Sequence, residues 1–105
     1  MARSAAPLFA ALGDETRLAL LARLSTGGPL SITRLTAGFP MTRQAITKHL
    51  RIMEQAGLVR SAPQGRESLW RVEAARVADA RRHLDRISSQ WDERLLRLKR
   101  LVERG

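Results

Sequence analysis

Residues 41–59, MTRQAITKHLRIMEQAGLV, carry the clearest structural pattern in this 105-residue chain. Its apolar residues recur at helical spacing and predict one buried face: Ile46, Leu50 and Met53. Its polar residues cluster on the opposite side: Gln44, Thr47, Lys48, Arg51 and Gln55. Thr42 is a favourable residue to begin this helix, and Gly57 is a favourable one to end it. The stretch therefore predicts an amphipathic helix with one polar face left free.

A second, shorter helix is predicted just before this stretch. Ser31 is its expected N-cap, and Ile32 and Leu35 face inward. Residues 38–40, Gly-Phe-Pro, force a turn between the two helices. Two short helices joined by a tight turn are typical of a helix-turn-helix.

After the stretch, the pattern changes from helix to strand. Residues 58–62 and 67–72 are predicted strands, and the loop between them is Pro63-Gln64-Gly65-Arg66. By alternation, Trp70 and Val72 share the face that packs against the helices. A hairpin at this place predicts the wing of a winged helix-turn-helix.

Two further helices are predicted before residue 28. Pro7 is placed as the first residue of a helix over residues 8–12, which Gly13 ends. Asp14 is the expected N-cap of a helix that runs to about Ser25. The apolar stripe expected in that helix comprises Leu18, Leu21 and Leu24, with Leu20 beside them.

One long helix is predicted from Ala74 to about Glu103. Its apolar residues follow a heptad, which Arg94 interrupts: Val77, Leu84, Trp91 and Leu98 at one position, and Ala80, Ile87 and Leu101 at the other. Such a stripe fits packing on the chain's own core or on a second chain. Because the chain is too short to cover so long a helix, we favour a homodimer.

The composition points to an anionic partner. The formal net charge is +9, and 17 of the 19 basic residues are Arg. Residues 41–71 carry six basic and two acidic side chains. The net charge alone does not distinguish nucleic acid from an acidic membrane surface as the partner. The excess of basic residues in this segment, however, lies where a helix-turn-helix would contact DNA.

Other classes are excluded by what the sequence lacks. There is no Cys, so disulfides, thiolate metal sites and a nucleophilic thiol are ruled out. No apolar stretch approaches the roughly 20 residues that span a bilayer. No catalytic constellation or Gly-rich phosphate loop is present, so we expect no enzyme, no cofactor and no membrane partner. We expect a cytoplasmic protein of one domain, with core and wing over residues 1–73 and a dimerisation helix over 74–105.

The helix predicted between Thr42 and Gly57 is expected to enter the major groove, and it supplies most of the expected DNA contacts. Gln44 can pair with adenine, and Arg43 or Lys48 can reach guanine or phosphate. We expect Gln44 and Lys48 to read bases and Arg51 to touch phosphate. The wing would meet the minor groove or the flanking backbone. The predicted DNA-binding set is Thr42, Arg43, Gln44, Thr47, Lys48, Arg51, Gln64, Gly65 and Arg66.

Asp79 and His83 lie four residues apart on the last helix and are the possible metal ligands. One Asp and one His fall short of four ligands, although a dimer would double them. We therefore interpret them as surface charge. His49, beside the apolar face of its helix, is predicted to be structural.

Residues 41–59, the hairpin QGRESLWRV at 64–72 and the opening FAALGDETRLALLARL at 9–24 together resemble the ArsR/SmtB family of winged-helix repressors. The resemblance implies double-stranded DNA as partner, an operator with inverted half-sites and repression by blocking polymerase. It also implies a symmetric dimer built from the first and last helices, with these contact residues: Leu8, Val77, Ala80, Leu84, Ile87, Trp91 and Leu98. The family's arsenic site needs cysteines, which this sequence lacks, and the effector stays unknown. The alternative is a winged-helix module that binds a protein or an acidic surface.

Overall fold

The computed structural model describes residues 5–104, which form five α-helices and a small antiparallel sheet. The elements are α1 (Ala5–Leu12), α2 (Glu15–Gly27), β1 (Leu30–Ser31), α3 (Ile32–Thr36), α4 (Arg43–Gln55), β2 (Val59–Gln64), β3 (Glu67–Val72) and α5 (Ala74–Arg104). The strand order is β1-β3-β2. The predicted fold class, a winged helix-turn-helix with a long final helix, is confirmed.

Three helices begin at the predicted N-caps. The side-chain oxygens of Asp14, Ser31 and Thr42 accept hydrogen bonds from backbone N–H groups three residues further on, at 2.9, 3.4 and 3.1 Å. Each cap satisfies a donor that the first helical turn leaves unpaired, which stabilises the helix by about 1 kcal/mol. The local sequence therefore fixes where α2, α3 and α4 start.

The core lies between the helix-turn-helix and the sheet. Ile46, Leu50 and Met53 are fully buried, as the helical spacing of α4 predicts. The other fully buried large side chains are Leu8, Leu20, Leu35, Leu58, Val59 and Trp70. Burial of these side chains, at about 1.5–3 kcal/mol each, holds α4 with its polar face outward.

The wing is a tighter hairpin than predicted. Gln64 pairs with Glu67, so only Gly65 and Arg66 form the turn, and Pro63 and Gln64 belong to β2. Gly65 has φ of +61° and Arg66 has a negative φ. This is the pattern of a two-residue type II′ turn, in which glycine occupies the first central position. The short turn places Arg66 at the tip of the wing.

Several details of the first half differ from expectation. Strand β1, which was not predicted, pairs Leu30 with Trp70. Helix α1 includes Pro7 as its third described residue, and α2 extends to Gly27. Leu18 is exposed because it lies 200° around α2 from Leu20, one of the two residues of that helix buried in the core.

Helix α5 changes its surroundings along its length. Near its start, Arg76 Nε donates to the Ala56 carbonyl at 2.9 Å, and Ala80 is buried. Two residues of the predicted dimer contact, Leu8 and Ala80, are buried in the core of the single chain. Val77 is partly buried against the same core.

From residue 84 onward every described residue of α5 is exposed, including Leu84, Ile87, Trp91 and Leu98. The guanidinium of Arg94 lies over the Trp91 ring, 5.4 Å from its centroid. None of the helices in residues 5–104 is both long and apolar enough to cross a membrane.

Candidate nucleic-acid interface

The exposed face of α4 presents three side chains that are free to bind a ligand. Within residues 5–104, the side chains of Arg43, Gln44 and Lys48 make no hydrogen bond or ion pair. All three are exposed and lie in the first turn and a half of α4. The free N–H groups and the dipole of a helix N-terminus attract phosphate at this same end. The arrangement suits insertion of α4 into the major groove of a duplex.

The two threonines of this helix are partly occupied by the helix itself. The Thr42 hydroxyl oxygen accepts from the Ala45 N–H, and the Thr47 hydroxyl donates to the Arg43 carbonyl at 2.8 Å. Thr42 therefore acts as a cap, and Thr47 offers a methyl group and an acceptor oxygen rather than a donor.

Arg51 links α4 to the wing. Its Nη1 donates to Glu54 Oε1 at 2.8 Å, and its guanidinium lies 5.1 Å from the ring centroid of Trp70 on β3. Glu54 Oε2 also accepts from the Ser61 hydroxyl on β2 at 2.9 Å. Burial acts to raise the pKa of Glu54, but the hydrogen bonds from Arg51 and Ser61 outweigh it and lower that pKa. Glu54 and Ser61 could not be identified from the sequence, because their contact depends on how β2 folds back.

A second link joins α4 to α2. His49 Nδ1 lies 3.2 Å from Arg17 Nη1 and 3.8 Å from Asp14 Oδ2. Arg17 Nε also donates to the Ala11 carbonyl at 2.6 Å. The backbone N–H of Arg17, together with the charges of Arg17 and His49, lowers the pKa of Asp14 against a smaller effect of burial. His49 thus connects α4 to Arg17 and to Asp14, the N-cap of α2, which agrees with its predicted structural role.

The wing tip and α4 border one groove of about 220 Å³. Arg66 reaches it from the turn, while Gln64 and Gly65 are exposed beside Arg66. The groove is lined by Ile32, Arg43, Thr47, Arg51, Arg66, Glu67, Ser68 and Trp70. The groove therefore brings together four of the nine predicted DNA contacts, Arg43, Thr47, Arg51 and Arg66. The predicted dimer contacts lie on α5, except for Leu8 on α1.

Asp79 and His83 have other partners. Asp79 pairs with Arg82 and, at 3.5 Å, with Arg76. The His83 ring packs on Phe9 with centroids 5.4 Å apart, and its Nδ1 lies 3.4 Å from Arg86 Nη2. Within the described range 5–104, no three His, Asp or Glu side chains are grouped so that they could hold a metal ion.

Known proteins resemble this chain over most of its length. A protein-family model described as a helix-turn-helix domain matches residues 12–62. The HTH-type transcriptional regulator Rv2034 of Mycobacterium tuberculosis is 32% identical over 101 residues, which are 96% of this chain and 91% of the relative. YuzN of Bacillus subtilis, an uncharacterized HTH-type transcriptional regulator, is 43% identical over an alignment of 65 positions that covers 56% of this chain and 71% of the relative.

A solved structure agrees with these sequence matches. The ArsR-like transcriptional regulator from Rhodococcus sp. RHA1 superposes with a TM-score of 0.83 at 40% identity, covering 96% of this chain and 92% of that one. The comparisons do not favour the alternative of a protein-binding or acidic-surface module.

Proposed function

The chain belongs to the ArsR-like family of winged helix-turn-helix transcriptional regulators, and we propose that it is a homodimeric repressor that binds an operator with inverted half-sites. The observation that carries the proposal is the polar face of α4, whose exposed Arg43, Gln44 and Lys48 have no hydrogen-bonding or ionic partner within residues 5–104. Arg43 also lines the groove beside the wing. In this proposal the chain binds DNA in the cytoplasm and catalyses no reaction.

The roles of the α4 side chains follow from their chemistry. Gln44 can donate to and accept from the edge of adenine, and Lys48 can donate to guanine. Arg43 at the helix N-terminus contacts phosphate or guanine. Thr42 fixes the start of the helix, Thr47 offers its methyl to thymine, and the wing places Gln64, Gly65 and Arg66 at the adjoining minor groove.

The exposed stripe on α5 supports a second copy of this chain as the dimer partner. Leu84, Ile87, Trp91 and Leu98 are each between 42% and 58% exposed, and they continue the line of Val77 and Ala80, which pack on the chain's own core. A run of large apolar side chains this long is rare on the surface of a monomer. Residues 1–73 would then form the DNA-binding body, and residues 74–105 the dimerisation helix.

A two-fold dimer presents its two α4 helices in opposite directions. The operator must then contain two inverted half-sites at a spacing set by the dimer. A dimer of this kind that occupies a promoter blocks polymerase by covering the same DNA. This explains repression without any further activity.

Selection of bound sequences from random duplex DNA, using the purified full chain, tests the proposal. We expect an enriched inverted repeat whose affinity falls with salt, by about 0.9 in log affinity per log salt for each phosphate contacted. Gln44→Ala with Lys48→Ala should reduce discrimination between this repeat and random DNA, by about 1–3 kcal/mol for each base that is no longer read. Gln55→Ala, at the other end of α4, is the matched control. Recovery of no preferred duplex would contradict the proposal.

A further inference from the structure

Three arginine side chains line the groove between α4 and the wing. Its volume is about 220 Å³, and Arg43, Arg51 and Arg66 all line it. Ser68 on β3 lines it as well, and this residue was not among the predicted DNA contacts. We call this groove, with the eight lining residues given above, the wing cleft.

The three guanidinium groups of the wing cleft are not equivalent. Arg51 is held in place by Glu54 at 2.8 Å and by the ring of Trp70. Within residues 5–104, the guanidinium groups of Arg43 and Arg66 have no hydrogen-bonding or ionic partner. The cleft therefore contains one guanidinium that is held in place, that of Arg51, and two that are free to move. Of the free ones, Arg43 comes from α4 and Arg66 from the turn of the wing.

DNA geometry indicates what fills such a cleft. The major and minor grooves of a duplex are separated by a sugar–phosphate strand. If α4 enters the major groove and the wing tip meets the adjacent minor groove, that strand must pass between them. The wing cleft is the space between them, and guanidinium groups bind phosphate through paired hydrogen bonds.

We propose that the wing cleft binds one backbone phosphate of DNA in each half-site. Arg43 and Arg66 bind this phosphate jointly, beside the fixed guanidinium of Arg51. The proposal rests on the DNA-binding function proposed above. It assigns to a single phosphodiester two arginines that the sequence places on separate elements. It also adds the Ser68 hydroxyl as a neighbouring donor.

One acidic side chain, Glu67, also lines the wing cleft. Its Oε1 accepts a hydrogen bond from the Thr33 hydroxyl at 3.3 Å, which ties the carboxylate to α3. A carboxylate in this place repels phosphate and partly offsets the arginines. Glu67→Gln should therefore tighten binding to every duplex, whatever its sequence.

The direct test places an uncharged methylphosphonate at each backbone position of the selected operator in turn. With the wild-type chain, we expect a loss of about tenfold in affinity at one position of each half-site, since a charge-assisted contact is removed there. In Arg66→Gln the same substitution at that position should cost less than in the wild type, because only Arg43 and Arg51 still contact the phosphate there. Arg60→Gln is the control, because Arg60 carries the same charge on the wing but pairs with Glu73 at 3.4 Å, outside the cleft.

A double-variant cycle tests whether the two arginines share one phosphate. If they do, Arg43→Gln and Arg66→Gln together should lower the salt slope by about 0.9 for each half-site, whereas two separate phosphates would give about 1.8. The losses in affinity should also be less than multiplicative. Circular dichroism and the unfolding midpoint of each variant show that the fold is intact.

The results of these experiments distinguish failure of the phosphate proposal from failure of the proposed DNA-binding function. If no duplex binds the wild-type chain, the proposed function fails. If the operator binds but no methylphosphonate position depends on Arg66, or if the two arginines act independently, the cleft proposal is overturned and DNA binding stands. Displacement of the operator by inorganic phosphate, beyond the effect of sulfate at equal ionic strength, would show a site for free phosphate and would also overturn it.

Discussion

Helices α4 and α5 have the same kind of apolar periodicity and opposite surroundings. In α4, Ile46, Leu50 and Met53 are wholly covered by the rest of the chain. In the second half of α5, Leu84, Trp91 and Leu98 are about half exposed. An apolar stripe therefore indicates that one face of a helix is buried against a partner, and only the structure shows whether that partner is part of the same chain. The apolar face of α4 is buried when the chain folds, and that of α5 is expected to be buried when two chains associate.

The largest expected difference between these helices concerns stability. Leu50→Ala should lower the free energy of unfolding by about 2–5 kcal/mol at every protein concentration, because it leaves a cavity in the core. Leu98→Ala makes the same chemical change on α5. Its effect should shrink as the protein is diluted, since it removes only contact with a second chain. Urea unfolding at two protein concentrations measures both, and equal, concentration-independent losses would contradict the assignment of α5.

The next effect concerns association itself. Leu98→Asp should give a monomer in analytical ultracentrifugation, because it places a charge in the apolar stripe. Operator affinity should fall by about 100-fold or more, since two half-sites are no longer bound together. Leu96→Asp is the matched control, because Leu96 is also about half exposed but lies 120° around the helix from Leu84. A Leu98→Asp chain that remains dimeric would contradict the proposed interface.

A smaller effect is expected at the start of α4. Thr42→Ala removes the acceptor for the Ala45 N–H and should cost about 1 kcal/mol of stability. Thr42→Ser keeps the hydroxyl and should restore most of that loss. Thermal unfolding of the two variants gives the comparison. Equal midpoints for Ala and Ser would show that the cap contributes nothing.

The smallest effect depends on pH. The folded state lowers the pKa of Glu54 below its ordinary value of 4.5, so the ionised carboxylate stabilises the fold above that value. This contribution is lost as the pH falls through the lowered pKa. We expect the stability difference between the wild type and Glu54→Gln to be less than about 1 kcal/mol at neutral pH and to vanish in acid. Glu103→Gln, which breaks the exposed pair with Lys99 on α5, should change less at any pH.

Local chemistry explains why much of the fold could be predicted from the sequence. The caps Asp14, Ser31 and Thr42 and the buried face of α4 depend only on neighbours within a few residues. Strand β1 has two residues, too few for alternation to be visible. The predicted wing loop is two residues too long because Pro63 is a typical turn residue, whereas β2 continues through it to Gln64.

The candidate site was predictable in part for the same reason. Residue type and helical phase indicated Arg43, Gln44 and Lys48, whereas the links of Arg51 to the wing and of His49 to Arg17 join residues far apart in sequence. A heptad does not distinguish the chain's own core from another chain, and Ala80 of the α5 heptad is buried in the chain's own core. Leu8, which the family resemblance placed in the dimer contact, is buried there as well. The base and phosphate contacts remain predictions.

One tryptophan lies in the core of the chain, and the other lies on the exposed apolar stripe of α5. Trp70 is buried at the base of the wing, and Trp91 is 55% exposed on the α5 stripe. An indole in apolar surroundings emits at shorter wavelength than one in water, so their fluorescence reports two different events. Dilution that separates the chains should move the emission of Trp91 to the red and leave that of Trp70 unchanged. Unfolding should move both, so one unlabelled sample can distinguish dissociation from loss of the fold.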